Sequence, residues 1–301
     1  DQVRTQYPIL ILRSCFHVGV LNSRAMELLG LNRDTVAKYG EFAEVDERGE
    51  PNGVVKENVV DDIKAALPSV GLEALLERVV EAQRDLFAVG LTSIQSDDFK
   101  YAPEEKPYAL MDGLRALAES GRLKLRMAEQ ALLTEPETLD EFFERGMADY
   151  GASHRFRIST VKILADGSLG ARTAFLRGPY ADAPETRGLP IYPEQEALDR
   201  LVLTAHRHNL PAAVHAIGDG AAEMVLRSVA RARREMPWLH PRHGLVHCQI
   251  MDKAQIGRMK ELDMTAYVQP VFINGDMHIA PARLGEARLP HAYAWGEMAR
   301  Q

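Results

Sequence analysis

The run Val161-Lys162-Ile163-Leu164-Ala165-Asp166-Gly167-Ser168-Leu169-Gly170 decides how this chain folds. Its apolar first half reads as a buried strand, and its Asp/Gly/Ser/Gly second half as the loop that the strand enters. A lysine inside such a strand needs a reason, because a buried ammonium is costly unless its charge is paired, removed or used. Two later stretches have the same form. Ala212-Ala213-Val214-His215-Ala216-Ile217-Gly218-Asp219 and Gly244-Leu245-Val246-His247-Cys248-Gln249 each end a short apolar strand on a histidine. Polar side chains at three strand ends, with helical patterns between them, predict a polar site at one rim of a parallel barrel.

Working outward, Leu72, Leu75, Leu76, Val79, Val80 and Leu86 recur at helical spacing ahead of the strand-like Leu91-Thr92-Ser93-Ile94-Gln95. The cycle repeats with helices over 107–120, 137–150, 194–209, 221–235 and 253–262, and strands over 123–133, 156–164, 212–215, 244–247 and 264–269. Residues 165–190 form a long Gly- and Pro-rich connection, which predicts a functional loop. Such alternation suits a doubly wound sheet or a closed barrel. The barrel is favoured because the polar strand ends are spread over several strands and no G-x-G-x-x-G loop opens a helix. A closed barrel of this kind has eight strands and six are counted here, so the prediction is an α/β fold with a partial TIM-like (β/α) barrel over 71–301.

Residues 1–70 read differently. The apolar run Tyr7 to Phe16 predicts a buried strand leading to His17, Asn22 and Gly30 frame a capped helix, and Asp46, Gly49, Pro51, Asn52 and Gly53 predict a hairpin.

With 36 basic against 43 acidic residues in 301, the net charge of −7 offers no basic footprint for nucleic acid or for a membrane surface. The expected partner is a small molecule. Cys15 and Cys248 are the two cysteines, both in apolar surroundings; free buried thiols are expected and a disulfide framework is excluded. Neither end carries a signal-like or membrane-spanning apolar stretch, so a cytoplasmic or processed location is expected, and a targeting segment ahead of Asp1 would be invisible in this sequence.

Neutral imidazole is a common zinc ligand, and His215 and His247 are placed to share one ion; the alternative is a pair of core histidines satisfied by hydrogen bonds. Asp219 and Gln249 follow them as candidate partners that orient the rings. Lys162 either pairs with Asp166 or loses its charge by reacting with carbon dioxide, giving a carbamate whose oxygens can bridge two ions. His17 is either a substrate-binding donor or a packing residue. Arg172 either holds a substrate carboxylate or carbonyl or makes an exposed ion pair. His206 and His208 are expected to meet the helix dipole and solvent. The remaining histidines, His154, His240, His243, His278 and His291, fall in loops or near strand starts. G-x-S-x-G, P-loop, C-x-x-C and His-Glu-x-x-His motifs are all missing, which leaves metal-assisted hydrolysis best supported.

The segments His17 with Asn22-Ser23, Val161-Lys162-Ile163 through Asp166-Gly167-Ser168-Leu169-Gly170-Ala171-Arg172-Thr173-Ala174, His215 to Asp219, His247-Cys248-Gln249, Val268-Gln269-Pro270 and Tyr293-Ala294-Trp295 together resemble the amidohydrolase superfamily, in its YtcJ-like branch called amidohydrolase family 3. The resemblance implies a TIM-like barrel with a small β-sandwich built from both chain ends. It implies that Lys162 is the metal-bridging lysine of the fourth strand, commonly carboxylated, and that His215 and His247 are metal ligands of the fifth and sixth. It implies a divalent ion, zinc first, that activates water against a carbon–nitrogen bond of amide type. Asp166 joins His17 and Arg172 as an expected substrate contact. Three features depart from the pattern. No His-x-His precedes Lys162, the general-base aspartate of an eighth strand would follow the Trp295 region, and Val246 stands where many members carry glutamate. The expectation is therefore an internal fragment holding strands two to seven without the β-sandwich, inactive as it stands, with weak or absent metal binding. Its open barrel edges predict a homodimer or exchange of elements between chains. A non-catalytic regulatory or binding protein on the same scaffold, like an exoenzyme regulator, is the alternative.

Overall fold

The computed structural model describes residues 6–13, 17–65, 70–102, 106–149 and 153–301; Cys15 falls outside them. The chain divides into two compact units, Asp1–Ser69 and Val70–Gln301.

In the smaller unit, β1 (Leu10–Leu12), β2 (Val18–Leu21), β3 (Ala43–Val45) and β4 (Pro51–Lys56) form an antiparallel sheet in the order β1-β2-β4-β3. Asn22 caps α1 (Ser23–Leu28) by accepting the Ala25 amide, and α2 (Arg33–Val36) and α3 (Asn58–Ala65) follow. Asp46 closes the predicted hairpin by accepting the amides of Arg48 and Glu50. Leu21, Val36, Val55, Val59, Val60 and Ile63 make the core of this unit. The buried strand expected over Tyr7 to Phe16 is corrected: β1 is three residues long, lies at the sheet edge and leaves Ile11 59% exposed, while residues 14–16 lie outside the described set. An unbroken apolar run does not distinguish a strand covered on both faces from an edge strand covered on one.

In the larger unit, six parallel strands follow one another around a curled sheet: β5 (Ser93–Ser96), β6 (Arg126–Leu132), β7 (Phe156–Leu164), β8 (Ala212–Ala216), β9 (Gly244–His247) and β10 (Thr265–Tyr267). Helices α4 (Leu72–Ala88), α5 (Pro107–Glu119), α6 (Pro136–Glu144), α7 (Gln195–Arg207), α8 (Asp219–Glu235) and α9 (Lys253–Glu261) alternate with them. Three short helices, α10 (Phe272–Asp276), α11 (Ala280–Leu284) and α12 (Trp295–Arg300), end the chain. Sequential strands lying side by side, each pair joined through a helix, are the repeating unit of a TIM-like barrel, of which this sheet is a six-stranded part. Val161, Ile163, Val214 and Leu245 are sealed with Leu198, Leu201, Val225 and Val229 of α7 and α8; each such side chain contributes roughly 1.5–3 kcal/mol. Among the described residues no helix is long and apolar enough to cross a membrane.

The long connection after β7 is ordered around its own cluster, in which Leu169, Leu176 and Tyr180 meet Ile217, Ile250 and Leu284. It crosses the β8–α8 turn so closely that a Cβ on Gly218 would lie 2.0 Å from the Phe175 carbonyl oxygen, which only glycine permits. His206, expected to meet solvent, is corrected: it is fully buried and its Nδ1 lies 2.8 Å from Nε2 of His243. The helix dipole favours a charged ring, but burial holds this one below its ordinary pKa, so it is kept neutral inside.

Candidate metal centre

Strand register sets the first two groups on one face. Lys162 pairs with Ala213 and Leu164 with His215, so Lys162 and His215 are two pleats apart on neighbouring strands and share a side. His247 does not follow from register. It pairs with Ala216, and a continued pleat would turn its ring away from His215. The backbone breaks the pleat: φ is +81° at His247 and +47° at Cys248, two successive non-glycine residues in left-handed geometry at a cost of about 1–3 kcal/mol each. The ring returns to His215, with centroids 4.6 Å apart, and Phe272 stacks on its other side at 5.5 Å.

Hydrogen-bond partners fix both tautomers. His215 Nε2 lies 2.9 Å from the Gly167 carbonyl, which can only accept, so in the neutral ring Nε2 carries the proton and Nδ1 the lone pair. His247 Nδ1 lies 2.7 Å from Oε1 of Gln269, whose amide is oriented by its Nε2 donating to the Tyr267 carbonyl; His247 therefore keeps its lone pair on Nε2. His215 Nδ1 and His247 Nε2 face one another at 3.1 Å. Burial, then the neighbouring His215 and the Lys162 charge, push His247 down to about 2, so the His247 ring is neutral near pH 7.

Lys162 is 6% exposed, and burial lowers its pKa, partly opposed by Asp97, whose Oδ2 lies 3.5 Å from Nζ. Its ion partner is thus Asp97 after β5 rather than Asp166. Asp166 is wholly buried and accepts the amides of Ile217 at 3.0 Å, Gly218 at 2.8 Å and Phe175 at 2.9 Å; its Oδ1 lies 3.3 Å from His215 Nε2. Burial outweighs those amides and pushes its carboxyl up to about 7. Asp166 therefore anchors the long loop beneath His215.

The other expected groups stand as follows. Arg172 grips Asp182 through Nε at 3.2 Å and a terminal nitrogen at 3.0 Å. Asp219 accepts the backbone amide and Nε of Arg177, at 2.9 and 2.8 Å, rather than orienting a ring. Gln249 is buried with Oε1 lacking a hydrogen-bond partner among the described residues. The ring-orienting roles expected of Asp219 and Gln249 are filled by the Gly167 carbonyl and Gln269. His17, in the smaller unit, has Nδ1 2.8 Å from Glu57 Oε2. Sequence reading missed Asp97, whose one signal was its place just beyond a strand end.

Among the described residues no group of three or more His, Cys, Asp or Glu is disposed to hold a metal ion. The donor set that exists fits one nonetheless. Two nitrogens bound at ~2.05 Å to one ion at right-angled to tetrahedral geometry stand about 2.9–3.3 Å apart, which brackets the observed 3.1 Å.

The family model described as "Amidohydrolase family" matches residues 1–301. The chain is 32% identical to the provisionally named amidohydrolase YtcJ of Bacillus subtilis (strain 168) over 98% of its own length and 54% of that protein's. It is 24% identical to the N-substituted formamide deformylase of Arthrobacter pascens over 90% of its length and 49% of that protein's. The crystal structure of an uncharacterized metal-dependent hydrolase from Pyrococcus horikoshii OT3 superposes with a TM-score of 0.73 at 29% identity, covering 97% of this chain and 55% of the other. The chain spans about half the length of the curated relatives it matches. On its strand-end imidazoles, its half-barrel and the match along its whole length, it belongs to the amidohydrolase family.

Proposed function

We propose that this chain is the metal-holding core of a hydrolase that cleaves an amide-type carbon–nitrogen bond. The observation that carries the reading is the 3.1 Å approach of His215 Nδ1 and His247 Nε2 at the ends of neighbouring strands. His215 and His247 would hold a divalent ion, with zinc the first candidate. Such an ion, when bound, polarises a carbonyl and makes water more acidic. Lys162 would join after its neutral amine bonds to the carbon of carbon dioxide and releases a proton; its burial favours the neutral amine. Asp166 keeps the His215 proton on Nε2 through Oδ1 and so keeps Nδ1 available as a donor. Arg172, half exposed on the long loop, would release Asp182 to take a substrate carboxylate.

The bond type is supported by the family and by the name of the Arthrobacter pascens relative, which makes N-substituted formamides the first substrates to test. Equilibrium dialysis against zinc tests the site. Weak binding that disappears in both His215→Ala and His247→Ala supports the reading, and unchanged binding in those variants refutes it. Intact-protein mass spectrometry that finds one added carbon dioxide, lost in Lys162→Ala, tests the third position.

A further inference from the structure

Glu129 lies on β6 with no exposed surface, and the expected site did not include it. The pairing of β6 with β7 steps from Glu129↔Ile158 to Gln130↔Thr160, passing over Ser159, whose hydroxyl donates to the Glu129 carbonyl at 3.0 Å. Such a bulge re-aims a side chain. Glu129 Oε1 accepts the amide of Phe99 at 3.2 Å, inside the 3-10 turn Asp98–Tyr101 that follows β5. Oε2 is sealed from solvent and has no hydrogen-bond partner among the described residues. Asp97, the residue before that turn, is the ion partner of Lys162.

We propose that Glu129 is a positioning residue for Lys162, acting through Asp97: by holding the Phe99 amide it fixes the turn that sets the Asp97 carboxylate against the Lys162 amine. Three carboxyl groups, those of Asp97, Asp98 and Glu129, meet at this point, and Asp97 is the one that faces Lys162. Burial, reinforced by Asp98 and Asp97, pushes Glu129 up to about 9, so it serves as a neutral acid that can accept the amide without repelling Asp97. The consequence for catalysis rests on reading Lys162 as a ligand, whereas the positioning itself needs no metal.

The test uses the whole chain without added metal and cyanate, a small electrophile that reacts with amines, with carbamoylation of Lys162 read by peptide mass spectrometry. An amine held in an ion pair reacts slowly, so Asp97→Asn and Glu129→Ala are both expected to label Lys162 about fivefold faster than the unaltered protein. Glu129→Gln keeps the carbonyl that accepts the Phe99 amide and mimics the neutral acid, so its labelling is expected to stay within about twofold. If the alanine variant does not fold by circular dichroism, Glu129→Met, which fills the space without accepting a hydrogen bond, is read in its place. Glu129 variants that label at the original rate while Asp97→Asn labels faster would overturn the proposal. So would Asp97→Asn at the original rate, or Glu129→Gln behaving like Glu129→Ala. Failure of zinc to bind would leave these outcomes unchanged and would count only against the hydrolase reading.

Discussion

The indole N–H of Trp295 points at the backbone carbonyl of His247, 3.3 Å away, and shares itself with the Cys248 carbonyl at 3.1 Å. It thereby ties down the two left-handed residues that turn the His247 ring toward His215. A strained turn persists only when its surroundings over-determine it.

Replacing Trp295 by phenylalanine keeps a ring and removes this donor. The expected loss is about 1 kcal/mol of stability in urea melts. Zinc affinity is expected to fall as well, because the turn that aims His247 is loosened. Unchanged stability and affinity would show that the turn holds without the indole.

Gln269 sets the His247 tautomer through its Oε1, 2.7 Å from Nδ1. Gln269→Leu removes that acceptor, letting the proton move to Nε2 and block the lone pair. Zinc affinity is expected to drop roughly 10-fold or more, as is usual when the partner that orients a ligating histidine is lost. Isothermal titration calorimetry of the folded variant provides the check.

The buried pair at the opposite end of the strands predicts acid sensitivity. Ala212 donates its amide to His243 Nδ1 at 2.9 Å, so His243 carries its proton on Nε2 and gives it to His206 Nδ1; His206 in turn passes Nε2–H to the Met236 carbonyl at 3.2 Å. Every nitrogen in this chain is committed, and a further proton breaks a bond. Burial, with His206 and Arg233 adding, pushes His243 from 6.5 down to about 3. Between those values the unfolded chain binds a proton that the folded chain refuses. Stability is therefore complete above about pH 6.5 and falls as pH drops toward 3, by about 3–5 kcal/mol for His243 alone. Denaturant melts across that range check it, and His243→Gln is expected to flatten the acid limb while lowering stability at pH 7.

Helical spacing and strand ends made the larger unit legible, because a buried parallel strand such as Val161 to Leu164 is apolar throughout and announces a polar intruder such as Lys162. His215 could be read for the same reason. What could not be read depends on contacts between distant segments or on backbone departures without a composition signal. The left-handed φ at His247 needs no glycine here, because Trp295, 48 residues later, supports it. Asp97 meets Lys162 only once β5, β6 and β7 lie side by side, and Glu129 is aimed by a bulge that no local pattern marks. His206 looked like a solvent-facing helix end because its partner His243 lies 37 residues away.

Long-range nitrogen–proton correlation spectra of the two site imidazoles test the central claim most directly. In the metal-free chain His215 should appear as the Nε2–H tautomer and His247 as the Nδ1–H tautomer, and added zinc should shift His215 Nδ1 and His247 Nε2 together. Either ring in the opposite tautomer, or both nitrogens unmoved by zinc, would contradict the account.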